Sequence, residues 1–421
     1  MRVNFQPSRC EGTVTVPPSK SMAHRTLICA ALAEGESIIE NLAFSQDIEA
    51  TIRGLCAFGA RVERLGDSTV RVHGMGWPKA PAEPIDCGES GSTLRFFIPL
   101  AALVGQPVRF VGHGRLMERP QNVYEEIFAQ KGVHFSHTTE EIVVDGTLPA
   151  GEYRVDGSVS SQFITGLLLA LSLLKAPSTL TVTPPFESAS YVALTCAAMA
   201  DCGVVVEQRD NTFCIKGNEK YTAKHLRVEG DWSQAAFFAV PGSILGGICV
   251  QGLRENSLQG DRAVLDILRR CGARFTQKDG VYCFEKSALH ATEIDLADCP
   301  DLGPVLMAMA LFCEGETHFI HARRLRIKES DRIAAMECEI RKMGGVIRST
   351  EDEVYVTGGS LHTAELDSHN DHRIAMAMAA ASMASGVPVV IDDAQAVRKS
   401  YANFWDDAAS LGVQVERHET A

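Results

Sequence analysis

Basic and hydroxyl side chains cluster at the start of a helical segment near the amino terminus. The stretch SKSMAHR places Lys20, Ser21 and Arg25 within about two turns of a helix start. Backbone N–H groups and the helix dipole at such a start favour an anion, and Lys and Arg add positive charge. The stretch therefore predicts a phosphate or carboxylate site. The alternative interpretation is a capped helix whose Lys and Arg are merely solvated.

Two further helix starts carry neutral hydrogen-bonding groups. VSSQF places Ser160, Ser161 and Gln162 where a helix begins, which suits a phosphate or sugar-like hydroxyls. GESGSTLR brings Gly91, which permits a close backbone approach to a ligand, and Arg95 follows on the helix. Each start taken alone is typical of an ordinary N-cap, so only their coincidence indicates a site.

Carboxylates stand among cations in the second half of the chain. RIKESDR contains Lys328, Glu329 and Arg332, and DCPDLG places Asp301 at the start of a buried helix. Such a Glu can transfer a proton and such an Asp can act as a base. The alternative is a solvated helix face with Glu329 and Arg332 as an i,i+3 pair. Further cations fall at comparable positions: Arg119 in GRLMERPQ, Arg373 in NDHR and Lys399 in VRKS.

The elements that must position these residues come from a repeat. One block, found six times, is an apolar helical stretch, a glycine and two short alternating strands. A second block, also found six times, is a polar turn opening a helix that is apolar nearly all round and therefore buried. A left-handed helix C-cap is expected at the glycine of each first block: Gly59, Gly132, Gly203, Gly272, Gly344 and Gly412.

Six such units predict an α/β chain with mixed sheets, grouped as two domains of three repeated units each. Parallel buried helices would gather their N-termini at one end of each domain. Backbone N–H groups and helix dipoles would then face a common space that favours anions. The basic residues stand at these same helix starts.

Composition and charge limit the classes of partner. The 421 residues include 45 % hydrophobic and 22 % charged residues, and the formal net charge is −13. This balance argues against nonspecific binding to nucleic acid or anionic membranes. No long apolar run predicts a membrane span or an export signal, so we expect a cytoplasmic protein. The 13 cysteines stand singly, which predicts reduced thiols and neither a zinc site nor a disulfide framework.

Taken in order, these segments resemble the 5-enolpyruvylshikimate-3-phosphate (EPSP) synthase family of enolpyruvyl transferases. The resemblance runs from residue 19 to residue 400. It rests on the following ordered stretches: SKSMAHR, GESGSTLR, LMERP, SSQF, PDLG, RIKESDR, NDHRIAMA and VRKS.

The resemblance implies transfer of the enolpyruvyl group of phosphoenolpyruvate to the 5-hydroxyl of shikimate 3-phosphate, a step of aromatic amino-acid biosynthesis, without metal or organic cofactor. It also implies an enolpyruvyl transferase-like fold. We expect one domain from residues 1–18 plus 229–421, a second from residues 19–228, and the active site in the cleft between them. Nucleic acid and membranes are not expected as partners, and a monomer is expected.

Site residues follow from the resemblance position by position. Asp301 would take the proton of the attacking hydroxyl, and Glu329, with Lys20, would protonate the methylene carbon. The residues that would bind shikimate 3-phosphate are Lys20, Ser21, Arg25, Ser160, Ser161, Gln162, Ser188, Asp301 and Lys328. Those that would bind phosphoenolpyruvate are Lys20, Gly91, Arg119, Gln162, Arg332, Arg373 and Lys399.

The chain departs from the family pattern at two points. Glu89 stands where the family usually has Asn, and Arg324 lies where it often has Asn before a Trp, so Arg324 is not assigned to the site. Two other functions remain open. UDP-N-acetylglucosamine enolpyruvyl transferase has the same fold, although the loop GHGRLMERPQN lacks the Cys typical of it. A noncatalytic nucleic-acid clamp could also be built from repeats, but it would need basic helix faces.

Overall fold

The computed structural model describes residues 1–419 and separates into two compact units. The inserted unit is Pro18–Glu229, and the terminal unit combines Met1–Pro17 with Gly230–Ala421. Each unit has its own hydrophobic core of buried Leu, Ile, Val, Phe, Ala and Met side chains.

Over the described residues the chain forms twelve α-helices, two for each of the six expected repeats. They are α1 (Lys20–Leu32), α2 (Gln46–Ala57), α3 (Gly91–Ala101), α4 (Asn122–Lys131), α5 (Ser161–Leu171), α6 (Ala189–Asp201), α7 (Trp232–Leu245), α8 (Val264–Arg270), α9 (Gly303–Ala310), α10 (Arg332–Lys342), α11 (His372–Ser385) and α12 (Phe404–Ser410).

The strands are short. They are β1 (Arg2–Gln6), β2 (Gly12–Thr15), β3 (Ala33–Glu40), β4 (Arg61–Arg64), β5 (Val70–Met75), β6 (Ile85–Asp86), β7 (Val108–Val111), β8 (His134–His137), β9 (Glu141–Asp145), β10 (Glu152–Asp156), β11 (Ser178–Thr183), β12 (Glu207–Arg209), β13 (Thr212–Ile215), β14 (Tyr221–Thr222), β15 (His225–Arg227), β16 (Ile248–Gln251), β17 (Arg274–Lys278), β18 (Val281–Glu285), β19 (Leu289–His290), β20 (Glu293–Asp295), β21 (Cys313–Glu314), β22 (Glu316–Ile320), β23 (Val346–Ser349), β24 (Val354–Thr357), β25 (Ala364–Asp367), β26 (Val389–Asp392) and β27 (Gln414–His418).

The repeats appear as six sheets of one pattern. In the order β6-β7-β9-β8 the first pair is parallel and the other two pairs are antiparallel. The same pattern of one parallel and two antiparallel pairs occurs in the orders β10-β11-β13-β12 and β20-β22-β24-β23. It also occurs in β17-β18-β16-β2 when that order is read from β2. In the sheet β14-β3-β5-β4, strand β15 is added beside β3. The prediction of an α/β fold with mixed sheets is confirmed, and the six repeat glycines all have a positive φ, between 71° and 111°.

The sixth sheet is completed from the other end of the chain. Its order is β25-β26-β1-β27, and β1 pairs antiparallel with both β26 and β27. Strand β1 thus takes the place that the second hairpin strand has in the other units. This pairing explains why the sixth sequence copy lacks a second strand of its own.

Small polar residues begin the buried helices, as the sequence predicts. The Ser19, Ser90 and Ser160 hydroxyls accept backbone N–H groups at the starts of α1, α3 and α5. The Asp231 and Asp371 carboxylates do the same for α7 and α11. These bonds satisfy N–H groups that a helix start leaves without intrahelical partners. Helix α11 is buried over 13 residues, from His372 to Ala384, which explains its apolar composition on all sides.

One expectation about the cysteines is wrong. The structure joins Cys249 of β16 to Cys283 of β18 in a disulfide, although 34 positions separate them in sequence. They are direct partners in the antiparallel ladder of these strands, so only the folded register brings them together. The other eleven cysteines are free thiols.

Candidate active site

The terminal unit gathers charged side chains where four of its helices begin. Asp301 lies just before α9, Arg332 and Arg373 lie at the starts of α10 and α11, and Ser233 lies at the start of α7. We call the following residues the Asp301 cluster: Asp301, Lys328, Glu329, Arg332, Asp371 and Arg373.

Asp301 accepts hydrogen bonds from three cations. Lys328 Nζ and Arg332 Nη1 lie 3.3 and 3.1 Å from its Oδ1, and Arg373 Nη2 lies 3.0 Å from its Oδ2. Arg373 Nη1 also donates to the Asp301 carbonyl oxygen at 3.1 Å. The Asp301 side chain is 19 % exposed, so solvent reaches a carboxylate that is otherwise surrounded by positive charge.

Arg332 links the other two carboxylates of the cluster. Its Nη2 lies 2.8 Å from Glu329 Oε2, and its Nε lies 2.8 Å from Asp371 Oδ2. The Arg332 side chain is almost fully buried. Burial alone would lower the pKa of Arg332, but the charges of Asp371, Glu329 and Asp301 outweigh it and raise the pKa. Arg332 is therefore a permanent cation with a fixed orientation.

Lys328 responds differently to its surroundings. Burial lowers the pKa of Lys328 to about 8, with Arg332 and Arg324 acting in the same direction and Asp301 opposing them. An amine with such a pKa changes its charge close to physiological pH. Lys328 is thus the cation of the cluster whose charge depends on pH.

Two more groups border the cluster. Lys399 Nζ donates to the carbonyl oxygen of Asn370 at 2.6 Å, one residue before the Asp371 N-cap. Arg373 Nη2 donates to Ser233 Oγ at 3.1 Å, which ties the start of α11 to the start of α7. The structure therefore brings Lys399 to the same group of helix starts as the cluster.

In the inserted unit Lys20 is held at the start of α1. Its Nζ lies 2.6 Å from Oδ2 of Asp47, a residue in the first turn of α2. The two side chains are 16 % and 10 % exposed, so the pair is mostly buried. Ser21 follows on the same helix turn, and its carbonyl oxygen accepts from Arg25 Nη1 at 2.7 Å.

Arg25 is enclosed by protein groups. Its Nε donates to Thr195 Oγ1 at 2.8 Å, its Nη2 donates to the Tyr191 carbonyl at 2.9 Å, and its guanidinium lies over the Phe96 ring. Burial lowers the pKa of Arg25 to about 10. This environment fixes the guanidinium between α1 and α6.

Gln162 is oriented by residues of α3. Its Oε1 accepts from Arg95 Nη1 at 2.9 Å, and its Nε2 donates to Ser92 Oγ at 3.0 Å. Arg95 is held in turn by the Pro120 carbonyl at 2.9 Å. The Ser160 hydroxyl caps α5, and Ser161 is its first residue. The SSQ stretch thus meets the Gly91 helix, because the starts of α3 and α5 lie side by side.

Gly91 lies against Arg119. A Cβ at position 91 would stand 2.5 Å from Arg119 Nη1, closer than real Cβ contacts allow. Arg119 is itself buried and follows the 3-10 turn Leu116–Glu118. The lack of a side chain at Gly91 therefore permits the position of this guanidinium. The neighbouring Glu89 carboxylate lies against Gly114, since a Cβ there would be 2.5 Å from Glu89 Oε2.

Ser188 is the residue before α6, and its backbone lies in the left-handed region, with φ 55° and ψ 38°. The neighbouring Glu187 N–H donates to the Gly157 carbonyl at 3.2 Å, which ties this turn to the loop that leads into Ser160. The Ser188 turn and the Ser160 helix start are thus linked through one backbone hydrogen bond.

Three positioning residues escaped the sequence analysis. Asp47 pairs with Lys20, Asp371 pairs with Arg332, and Arg95 holds Gln162. Asp371 is the N-cap of α11 and Asp47 lies in the first turn of α2, and such positions indicate a helix start but not a partner. Arg95 was noted on its helix, but no pattern linked it to a residue 67 positions away.

The chain is similar to known proteins in sequence. The sequence model of the family described as EPSP synthase (3-phosphoshikimate 1-carboxyvinyltransferase) matches residues 5–408. The 3-phosphoshikimate 1-carboxyvinyltransferases of Clostridium kluyveri and Clostridium novyi are 42 % and 43 % identical to it, over 98 % and 97 % of both chains.

Solved structures show the same similarity. An EPSP synthase from Acinetobacter baumannii superposes with a TM-score of 0.82 at 25 % identity, covering 99 % of this chain and 100 % of that one. The enolpyruvyl transferase NikO from Streptomyces tendae reaches 0.79 at 17 % identity, covering 100 % and 99 %, and shows the shared fold alone. Within residues 1–419 no helix has both the length and the apolar composition needed to cross a membrane.

Proposed function

The chain belongs to the EPSP synthase family and transfers the enolpyruvyl group of phosphoenolpyruvate to shikimate 3-phosphate, and we propose that it does so by addition and elimination at the residues described above. The acceptor is the 5-hydroxyl, and inorganic phosphate is the second product. This is the shikimate-pathway step expected from the sequence. The two alternative functions are set aside, because the matching family and relatives are named for shikimate 3-phosphate chemistry.

The observation that carries the mechanism is Asp301 with three cations on its carboxylate. Phosphoenolpyruvate brings a phosphate and a carboxylate, and such anions are bound well by Arg and Lys held in place before they arrive. We assign Arg332, Arg373 and Lys399 to phosphoenolpyruvate in the terminal unit. Gly91, Arg119, Gln162 and Lys20 are the corresponding residues in the inserted unit.

Shikimate 3-phosphate would be bound mainly by the inserted unit. Ser160, Ser161 and Gln162 offer hydroxyl and amide groups at one helix start, and Ser188 lies on the turn tied to it. The cations assigned to this substrate are Lys20, Arg25 and Lys328, and Ser21 is assigned with them. Arg25 is the most buried of these three cations, and it donates hydrogen bonds to the carbonyl oxygens of Ser21 and Tyr191. We therefore expect its positive charge to attract the phosphate of shikimate 3-phosphate from beneath Ser21 and the first turn of α6.

The addition step forms a bond between the 5-hydroxyl oxygen and C2 of phosphoenolpyruvate. Asp301 takes the hydroxyl proton, and the methylene carbon C3 takes a proton from Glu329, assisted by Lys20. The product is a tetrahedral ketal phosphate. Glu329 suits this role for two reasons. Its Oε2 lies 2.8 Å from Arg332 Nη2, which orients the carboxyl group, and its side chain is 17 % exposed and so remains accessible to a substrate.

The elimination step reverses the protonation of C3. The methyl group returns a proton to Glu329, the double bond between C2 and C3 forms again, and the bond from C2 to the phosphate oxygen breaks. Phosphate leaves with the electron pair of that bond, and the proton on Asp301 passes to it or to solvent. Cations near the phosphate balance its charge throughout the reaction and stabilise the elimination step, in which the departing oxygen gains negative charge.

The test of this function is phosphate release by the purified protein. Release that requires both phosphoenolpyruvate and shikimate 3-phosphate supports the reaction, and each substrate omitted in turn is the control. Folded protein that releases no phosphate with both substrates present would contradict it. Location in the cytoplasm and a monomeric state belong to the same proposal, and cell fractionation and sedimentation velocity test them.

A further inference from the structure

A second group of ionisable side chains lies further along α10, outside the Asp301 cluster. Cys338 and Glu339 lie in the second half of the helix, and His369 lies on the turn before α11. The thiol, a carboxylate oxygen and an imidazole nitrogen of these residues all lie within 4.8 Å of one another. We call these three residues the Cys338 trio. Neither the proposed reaction nor the expected substrates use them.

Glu339 is the buried member of the trio. Its side chain is fully buried, yet its Oε1 lies 2.8 Å from His369 Nε2 and 2.9 Å from Lys342 Nζ. The Asp367 N–H donates to Oε2 at 3.0 Å. In this structure the Lys342 ammonium and the hydrogen bonds from His369 and Asp367 thus balance the buried carboxylate.

The backbone holds His369 toward this carboxylate. His369 and Asn370 have φ values of 54° and 53°, in the left-handed region that non-glycine residues seldom adopt. The His369 N–H donates to Asp367 Oδ1 at 2.6 Å, and the Asn370 N–H donates to Ser368 Oγ at 3.1 Å. The turn therefore sets the imidazole position before any ligand arrives.

We propose that the Cys338 trio binds a divalent transition-metal ion of the zinc class, with Cys338 Sγ, one Glu339 oxygen and His369 Nε2 as ligands. Sulfur, nitrogen and carboxylate oxygen are the donors that Zn²⁺ prefers, and three protein ligands leave one tetrahedral position for water. On binding, the Cys338 proton passes to solvent. The metal ion then takes over from Lys342 as the positive charge beside the Glu339 carboxylate. The Lys342 side chain, which is 40 % exposed, moves away into solvent.

The sequence did not indicate this site. Cys338 and Glu339 are adjacent, so no spaced ligand pair is visible, and His369 follows 30 positions after Glu339. The site also lies close to a functional element, since the turn that carries His369 leads directly into Asp371 and Arg373 of α11.

The unaltered protein contains its own control for a first experiment. Cys338 and Cys56 are its two exposed free cysteines, and Cys56 lies in the inserted unit. Tag-free protein is treated with a thiol alkylating agent with and without Zn²⁺, and the modified positions are mapped by mass spectrometry. We expect Zn²⁺ to slow alkylation of Cys338 by about tenfold or more and to leave Cys56 unchanged. Equal rates at Cys338 with and without Zn²⁺ would overturn the proposal.

A second experiment uses Co²⁺, which takes the same ligands and gives a thiolate-to-metal absorption band. Cys338→Ser should remove the band. His369→Asn should weaken Co²⁺ binding about tenfold or more, and Asn tolerates the left-handed backbone that this position requires. Cys56→Ser and His134→Asn, both at exposed positions of the inserted unit, are the matched controls. A band that persists in Cys338→Ser would place the metal elsewhere and overturn the proposal.

Discussion

Arg332 and Asp371 form a salt bridge that is closed to solvent. Arg332 Nε lies 2.8 Å from Asp371 Oδ2, and the two side chains are 1 % and 0 % exposed. Asp371 also caps α11 through the Arg373 N–H at 2.9 Å and accepts from Ser330 Oγ at 3.1 Å. One carboxylate thus orients two of the cations that we assign to phosphoenolpyruvate.

Removal of this carboxylate should therefore cost stability as well as activity. We expect Asp371→Ala to lower the free energy of unfolding by roughly 3–5 kcal/mol, because it leaves the Arg332 charge without its buried partner. Urea denaturation measures this change. Asp406→Ala, which breaks the exposed pair with Arg417, is the control and should cost no more than about 1 kcal/mol. Equal losses in the two variants would show that the Arg332 pair does not stabilise the unit.

Replacement of Glu329 should separate binding from chemistry. Glu329→Gln keeps the size of the side chain and an oxygen for Arg332, but it removes the proton donor. We expect kcat to fall by about 10²–10⁴-fold while the KM values change little. Phosphate release at saturating substrates measures this. Glu337→Gln, on the following helix α10, is the control. Unchanged turnover in Glu329→Gln would exclude the proton-transfer role.

A methyl group at position 91 should move the Arg119 guanidinium. Since the new Cβ would lie 2.5 Å from Nη1, and the guanidinium is the end of a flexible side chain, we expect Gly91→Ala to fold normally. The KM for phosphoenolpyruvate should rise by about tenfold to 10²-fold, and that for shikimate 3-phosphate should change much less. Gly66→Ala has no atom within 4 Å of the new methyl group and is the matched control. If the KM for phosphoenolpyruvate were the same in Gly91→Ala and Gly66→Ala, Arg119 would not bind phosphoenolpyruvate.

Lys328 should make stability depend on pH in an alkaline window. Its pKa falls from 10.5 to about 8 on folding, chiefly through burial. Between these two values the unfolded chain binds more protons than the folded protein, so the contribution of Lys328 to stability rises with pH there. We therefore expect the wild type to gain stability relative to Lys328→Met as the pH rises from 8 to 10, measured by urea denaturation. A constant difference would contradict the shift.

Activity should show the opposite dependence on the same group. If Lys328 binds shikimate 3-phosphate as a cation, the affinity falls as the pH rises through about 8 and the amine loses its charge. Lys328→Arg keeps the charge at any accessible pH and should move this decline to higher pH. The KM for shikimate 3-phosphate, measured from pH 7 to 9, tests this. If the affinity for shikimate 3-phosphate declined at the same pH in the wild type and in Lys328→Arg, the decline would belong to the titration of another group.

Local features of the fold could be predicted from the sequence. The six repeat glycines, the Ser and Asp caps and the apolar helices each depend on a few neighbouring residues, and the structure has all of them. Lys20, Asp301 and Arg332, which we assign to the site, could be proposed from the sequence because they stand at such helix starts.

What escaped prediction depends on contacts that are distant in sequence. Asp47 lies 27 positions from Lys20, Cys283 lies 34 positions from Cys249, and nothing in the spacing links either pair. The pairing of β1 with β27 is the extreme case, because residues near the two ends of the chain become neighbours. Such pairs form only when strands pair in the correct register and helices pack together, and the pattern of neighbouring residues in the sequence does not specify either.

The pairing of β1 with β27 also bears on how the chain folds as the ribosome makes it. The inserted unit, Pro18–Glu229, contains all the strands of its own three sheets, so it has every partner it needs once residue 229 has emerged. The terminal unit begins with residues made first and cannot complete its last sheet until β27 emerges. Strand β2 finds its partner β16 soon after the inserted unit is made, but β1 must wait for β26 and β27 through almost the whole of synthesis with both hydrogen-bonding edges open. Strand β1 is therefore the segment in greatest need of protection during translation.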